Sequence, residues 1–348
     1  MSGLNEEQKK WVPTNPDYNP AEPMQVGGQA VLEGVMMRGR DAVATAVRRR
    51  DGSIVVDQIE YRPLARRYRW LKVPILRGAV GLIEMMVLGI KSLNFSADVA
   101  LRDEEILHAG GNGTTGASVK RRTDVAVAFS VIIALVLGVG FFFVAPLYLA
   151  THLLPIEQSA VAFNLVTGLI RAVMLIGYIA AISAMKDIRR LFEYHGAEHK
   201  SVFAFELGAD LAPTSVEPFS RFHPRCGTSF LLIVVAVAIV LFALLDAVLI
   251  AILGGISLPV RLAVHIPLIP IVAGAAYEVI RFSAKHTTTW WGRLLIAPGL
   301  WLQRLTTKEP DASQIEVAVV ALKCALGLAD PRAYALAPAP EAMSDARS

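Results

Sequence analysis

Residues 230–253 read FLLIVVAVAIVLFALLDAVLIAIL, an apolar run whose one charge is Asp246. At about 1.5 Å of rise per residue a helix of this length crosses about 30 Å of hydrocarbon, and a soluble core of ordinary size has no place for it. Working outward, further runs meet the same test. Val125–Leu149 has no charge, Ala160–Met185 has only Arg171, and Leu262–Ile280 is shorter, broken by Pro267 and Pro270, with His265 and Glu278 inside it. The composition agrees: 54% of the 348 residues are hydrophobic and 18% are charged, with a mean hydropathy of +0.48. Disordered, collagen-like and disulfide-scaffold proteins are excluded. The expected fold is mainly α: a polytopic membrane bundle of about four transmembrane helices, with a small N-terminal β-hairpin unit and amphipathic interfacial helices on the cytoplasmic face.

The 34 Lys and Arg outnumber the 30 Asp and Glu to give a net charge of +4. They flank the apolar runs and form no basic stripe interleaved with aromatics, so nucleic acid is not an expected partner and the lipid bilayer is. Lys120, Arg121 and Arg122 precede the first run; Lys186, Arg189, Arg190, Lys200, Arg221 and Arg225 fill the central loop; and Arg281, Lys285, Arg293, Arg304 and Lys308 follow the last. The 150–159 connection has no Lys or Arg, and the connection before the fourth run has only Arg261. By the positive-inside rule both termini are expected to be cytoplasmic and the protein multi-pass in its membrane. The cysteines Cys226 and Cys324 make no disulfide framework, and the charged, Pro-rich start lacks a cleavable signal.

The chain divides accordingly. Residues 1–23 and 330–348 are expected to be disordered tails, and 24–70 to hold a Gly-rich motif and the β unit, with Asp51-Gly52 as the turn between Ala42–Val47 and Ile54–Ile59. Residues 71–101 form a helix with Arg77, Glu84 and Lys91 on one stripe, either lying in the interface or re-entering and packing on the bundle. Residues 102–122 are a Gly-rich linker, 123–186 the first transmembrane pair, 187–228 a cytoplasmic motif loop and 229–281 the second pair. Residues 282–329, with Trp290, Trp291 and Trp301, are read as interfacial and amphipathic helices.

Three strings carry chemistry. In Glu193-Tyr194-His195-Gly196-Ala197-Glu198-His199-Lys200 a helix puts His195 and His199 one turn apart on one face, the spacing that lets two imidazoles reach one divalent cation, with Glu198 beside them as a base. A hydrogen-bonded polar loop is the plainer alternative. In His223-Pro224-Arg225-Cys226-Gly227-Thr228 an imidazole and a thiolate can complete a zinc-like site, or act as a helix-cap partner and a small buried residue. In Gly27–Gly39, GGQAVLEGVMMRG, the glycines permit close backbone approach, and Glu33 and Arg38 pair with each other or with substrate. Arg171 and Asp246, costly in hydrocarbon when alone, are expected to pair across two spans, and His265 to be structural.

GGQAVLEGVMMRG, FEYHGAEHK (192–200), HPRCGTSFLL (223–232), YEVIR (277–281) and APGLWLQRLTTKEP (297–310) together resemble the bacterial YqhQ-like family, domain of unknown function 1385, over residues 25–328. That resemblance implies a predicted metal-dependent membrane enzyme of the bacterial cytoplasmic (inner) membrane, with no reaction named. His-x-x-Glu-His also matches the inverted zinc-peptidase spacing, for which Glu278 is a candidate distal ligand; the rest of that pattern is absent. The combined reading is a divalent metal, zinc by default, held by His195, His199, His223 and Cys226, with Glu198 activating water and Glu33 and Arg38 orienting an unknown substrate for hydrolysis. A non-catalytic scaffold or assembly factor, a metal transporter, and a homo-oligomer or protein partner stay open.

Overall fold

The computed structural model describes residues 26–109, 129–130, 132–286 and 289–334. The strands are β1 (Gly27–Val31), β2 (Gly34–Arg38), β3 (Ala42–Arg48) and β4 (Ile54–Glu60). The principal helices are α1 (Leu76–Ala109), α2 (Ile132–Leu153), α3 (Ala160–Ser183), α4 (Lys186–Glu206), α5 (Gly227–Leu253), α6 (Leu258–Ser283), α7 (Trp290–Thr306) and α8 (Ala312–Leu326). Four of them, α2, α3, α5 and α6, are long and apolar enough to cross a membrane. The protein is therefore mainly helical, with the character of a membrane protein and an antiparallel sheet near its start.

The sheet is larger than the expected hairpin. That hairpin exists as β3 and β4, with Gly52 at φ 86° in its turn, but β1 and β2 extend it to a four-stranded meander in the order β1-β2-β3-β4. The Gly27–Gly39 string hid two strands because β2 does not alternate: Gly34, Val35, Met36 and Met37 are all buried. Val35 and Met37 join a core with α4 and α8, whereas Met36 packs with Leu88 of α1 on the opposite face. A strand covered on both faces reads as a plain apolar run.

Helix α1 runs unbroken through residues 102–109, the first part of the expected linker. It packs at one end on α6, through an Arg77–Glu278 ion pair and Gly78 against Tyr277. Further along it covers the sheet, where Thr45 Oγ1 donates to Ser92 Oγ at 2.9 Å and Arg49 Nε to Asp103 Oδ1 at 2.9 Å. Glu278 is thus engaged by Arg77 and is no third ligand of the His motif. The tail 1–23, linker residues 110–122, the first residues of Val125–Leu149 and the tail beyond 334 lie outside the described residues.

The spans satisfy their charges differently from the expected Arg171–Asp246 pair. Asp246 of α5 accepts from Asn164 Nδ2 of α3 at 2.8 Å, Arg261 Nε at 3.0 Å and His265 Nε2 at 2.8 Å. Arg171 lies two turns further along α3 than Asn164, about 10 Å away along the axis. It donates instead to Phe142 O at 2.8 Å, a carbonyl within the π-helical turn Gly140–Val144 of α2, and stacks on Phe143 at 4.5 Å. A widened turn presents its carbonyls to such a partner.

The C-terminal helix α8 is not an amphipathic surface helix. Apart from Glu316 and Lys323 every residue from Gln314 to Ala325 is buried, because α8 fills the space between the sheet and α4. Its ends are set locally by an Asp311/Gln314 capping box and by Gly327 at φ 75°.

Candidate metal centre

Helix α4 continues through Gly196, although glycine weakens a helix interior by about 1 kcal/mol. Packing explains the residue: a Cβ at Gly196 would overlap the Lys308 carbonyl, and Lys308 N donates to Phe192 O at 2.8 Å in the same crossing. This close approach brings the end of α7 against His195. A second glycine does the same from the sheet, since a Cβ at Gly28 would crowd Glu198 Cγ. The glycines of two separate strings therefore serve one place, the face of α4 that carries His195, Glu198 and His199.

Both imidazoles are oriented from behind. His195 Nδ1 donates to Thr306 O at 2.7 Å and His199 Nδ1 to Arg221 O at 2.5 Å. A carbonyl only accepts, so Nδ1 of each ring carries a proton and Nε2 is the atom each ring presents to the other side. Cys226 Sγ lies 3.2 Å from His195 Nε2, and the donor atoms of His195, His199 and Cys226 all lie within 4.8 Å of one another. Glu198 Oε2 stands 3.6 Å from His199 Nε2 and 3.9 Å from His195 Nε2. Cys226 is the N-cap of α5, so the helix N-terminus faces the thiol.

The electrostatics follow from this crowding. Burial opposes charging of His195, but the Cys226 sulfur, the Glu198 carboxylate and the Thr306 carbonyl together outweigh it and the ring's pKa is pushed up to about 9. Burial likewise opposes the Cys226 thiolate, and the neighbouring His199 and His195 overcome it, holding the thiol well below its usual range. Cys324, on the buried face of α8, shows the contrary case: burial pushes its thiol up to about 11.

His223 stays outside the donor set. Its Nε2 is 3.3 Å from Glu206 Oε2, its Nδ1 accepts from Arg225 N at 3.2 Å, and burial lowers its pKa. Gln303 of α7 holds it from both sides, accepting from His223 N and donating to His223 O, each at 2.8 Å. Glu33 and Arg38 are also engaged elsewhere and not with each other. They sit at opposite ends of β2, about 17 Å apart at ~3.4 Å per residue. Glu33, at φ 50° in the β1–β2 turn, takes both guanidinium contacts from Arg190 and accepts from Tyr194 Oη at 3.2 Å. Arg38 donates to Met85 Sδ at 3.2 Å and lies over Tyr61.

Residues that the sequence did not single out complete the site. Thr228 Oγ1 is 3.1 Å from Cys226 Sγ and 3.3 Å from Thr306 Oγ1. Gln303 and Thr306 lay inside the string APGLWLQRLTTKEP, whose polar residues in an apolar setting were the available signal. The carbonyls of Arg221 and Thr306 leave none, because every residue has one.

A family model described as protein of unknown function (DUF1385) matches residues 73–328, from just before α1 to just past α8. The chain belongs to the DUF1385 family. It is also 34% identical over 300 residues to the Uncharacterized protein YqhQ of Bacillus subtilis (strain 168), covering 85% of this chain and 91% of that protein. No solved structure matches it. The DUF1385 match spans all of the polar strings except GGQAVLEGVMMRG, which belongs to the sheet.

Proposed function

We propose that this DUF1385 protein is a metal-dependent membrane enzyme, a hydrolase by default, in which His195, His199 and Cys226 hold one divalent cation of the zinc type. One observation carries the reading: backbone carbonyls behind both imidazoles fix Nδ1 and leave Nε2 of each ring grouped with one sulfur, the arrangement that orients histidine ligands in metal sites. Two nitrogens and a thiolate suit a borderline-soft ion, and three protein donors leave a position open for reactants. When bound, such an ion supplies Lewis acidity, polarising an acyl or phosphoryl oxygen and acidifying water. Glu198, buried beside both rings, is placed to take a proton. The Lys and Arg distribution supports the cytoplasmic side of a bacterial inner membrane for this end of the bundle.

Metal analysis of the purified protein tests the reading. A single zinc-type ion per chain is expected, lost on His195→Ala with His199→Ala together with the cellular phenotype. Metal-free protein, with a phenotype indifferent to that double substitution, sinks it.

A second reading has its own observation. Cys226 caps a helix N-terminus with an imidazole 3.2 Å from its sulfur, the arrangement of a cysteine nucleophile and its base. Function that survives complete metal removal but is abolished by alkylation of Cys226 would select this reading instead.

A further inference from the structure

The molecule has an apolar groove of about 540 Å³ between α3 and α5, edged by Pro298 of α7. Every residue lining it is apolar, among them Leu165, Leu169, Ala172, Leu232 and Ala236. Gly168 lets Ile239 touch α3, so the two helices are in contact there and the hollow is a surface groove with a floor. The small residues that mark docking faces for another membrane helix are thereby partly consumed inside the bundle.

Its position ties it to the donor cluster. Thr228, Leu232, Val235 and Ile239 recur at the spacing of one stripe of α5, and three of them line the groove. The fourth, Thr228, touches Cys226 Sγ at 3.1 Å. At ~1.5 Å per residue the stripe is about 16 Å long, close to half of the ~30 Å hydrocarbon core. The groove itself begins at Leu232, about 6 Å along the axis from Thr228, and from that edge the stripe leads on to the candidate metal centre, while at the other edge Leu165 and Val166 adjoin Asn164, the partner of Asp246. Such a shape matches an amphiphile: an alkyl chain in the groove and a polar group at the cluster.

We infer that the groove holds one acyl chain of a membrane lipid from the leaflet bordering the His195–His199–Cys226 cluster, and that the substrate class of the site is a lipid presented by its headgroup region. The second half rests on the hydrolase reading; the first does not.

The test uses the full chain in bilayer nanodiscs containing phosphatidylglycerol, with a photoactivatable diazirine either on one acyl chain or on the headgroup, and maps adducts by mass spectrometry. Acyl-chain label is expected to concentrate on Leu165–Ala172 and Leu232–Ile239 about tenfold over the lipid-facing Val240, Leu244 and Val248, the enrichment given by one decade of binding preference. Headgroup label is expected near Thr228 and Thr306. Ala236→Trp, at an exposed position that fills the groove, should bring acyl labelling down to the background level, and Val240→Trp should leave it unchanged. Equal labelling of all lipid-facing positions in the wild-type chain, or cross-links joining two copies through the groove, overturns the acyl-chain inference. Acyl label in the groove without headgroup label at Thr228 and Thr306 overturns the substrate class. Repeating the map on His195→Ala, His199→Ala keeps the questions apart: enrichment that persists while wild-type protein carries no metal refutes the hydrolase reading and leaves the lipid site standing.

Discussion

Two polar centres occupy opposite ends of the same apolar helix, α5. At one end Cys226 meets His195 and His199; about 30 Å along the axis, at ~1.5 Å per residue, Asp246 meets Arg261 and His265. Both combine an anionic group with imidazoles, and both are buried. The difference is the fixed cation. Arg261 neutralises Asp246, lies over Phe163 at 3.6 Å and donates to Glu157 O, while His265 spends its Nε2 proton on the carboxylate and stacks on Phe242 at 4.0 Å. That centre cross-links α3, α5 and α6, with Arg261 Nη1 and His265 Nδ1 buried and left without a hydrogen bond. In the other, the imidazoles spend their Nδ1 protons on backbone carbonyls and turn Nε2 toward a cysteine sulfur that no arginine neutralises, so the sulfur is balanced only by rings that can give up their protons to a metal. Residue type does not distinguish a structural centre from a reactive one; the direction in which each ring nitrogen points does.

The comparison is broken most severely at the donor cluster. Structural zinc in small peptides is worth about 10–16 kcal/mol, so losing His195 and His199 should remove stoichiometric metal altogether, read by elemental analysis. Next, Asp246→Ala strands the buried Arg261 and should cost about 3–5 kcal/mol of stability, measured by denaturation in detergent, with metal content unchanged. If Asp246→Ala also empties the metal site, the two centres are one unit and the contrast fails.

Smaller effects sharpen it. Gly196→Ala forces a methyl into the Lys308 carbonyl; overpacking of this kind costs about 1–3 kcal/mol, and the displaced Thr306 carbonyl should weaken metal affinity about 10–100-fold. Glu198→Gln preserves shape and, for a base that is not a ligand, should keep the metal while the phenotype is lost; loss of the metal would make Glu198 a fourth donor. The smallest signal is spectroscopic. Metal-free protein at neutral pH should show thiolate absorbance that disappears with Cys226→Ser, because the flanking imidazoles lower that thiol, whereas the thiol of Cys324 ionises only near pH 11. Equal titration of both cysteines would mean the cluster does not form in solution.

Much of this was legible because it is local. Each apolar run declares itself without reference to any other segment, and His195 and His199 share a face because they are one helical turn apart. The Ala42–Ile59 hairpin shows in its alternation and its Asp-Gly turn. Strand β2 did not show, since burial on both faces erases the alternation that marks a strand. Gly28 and Gly196 stood out as glycines, but what each makes room for, Glu198 and Lys308, lies far along the chain.

Chain order and side-chain type alone determined a mainly helical membrane protein with an N-terminal β unit and a His pair beside an acid. Tertiary packing decided the partners: Cys226 admitted to the imidazoles of His195 and His199, the His223 ring engaged by Glu206 and the Arg225 N–H, Asp246 given to Arg261 and not to Arg171, Glu33 claimed by Arg190. The reason is range. Periodicity and hydropathy act over a few residues of one segment, whereas a hydrogen bond or an ion pair is chosen among all groups that folding brings within about 3 Å, and that choice is made only when helices and strands have settled against one another.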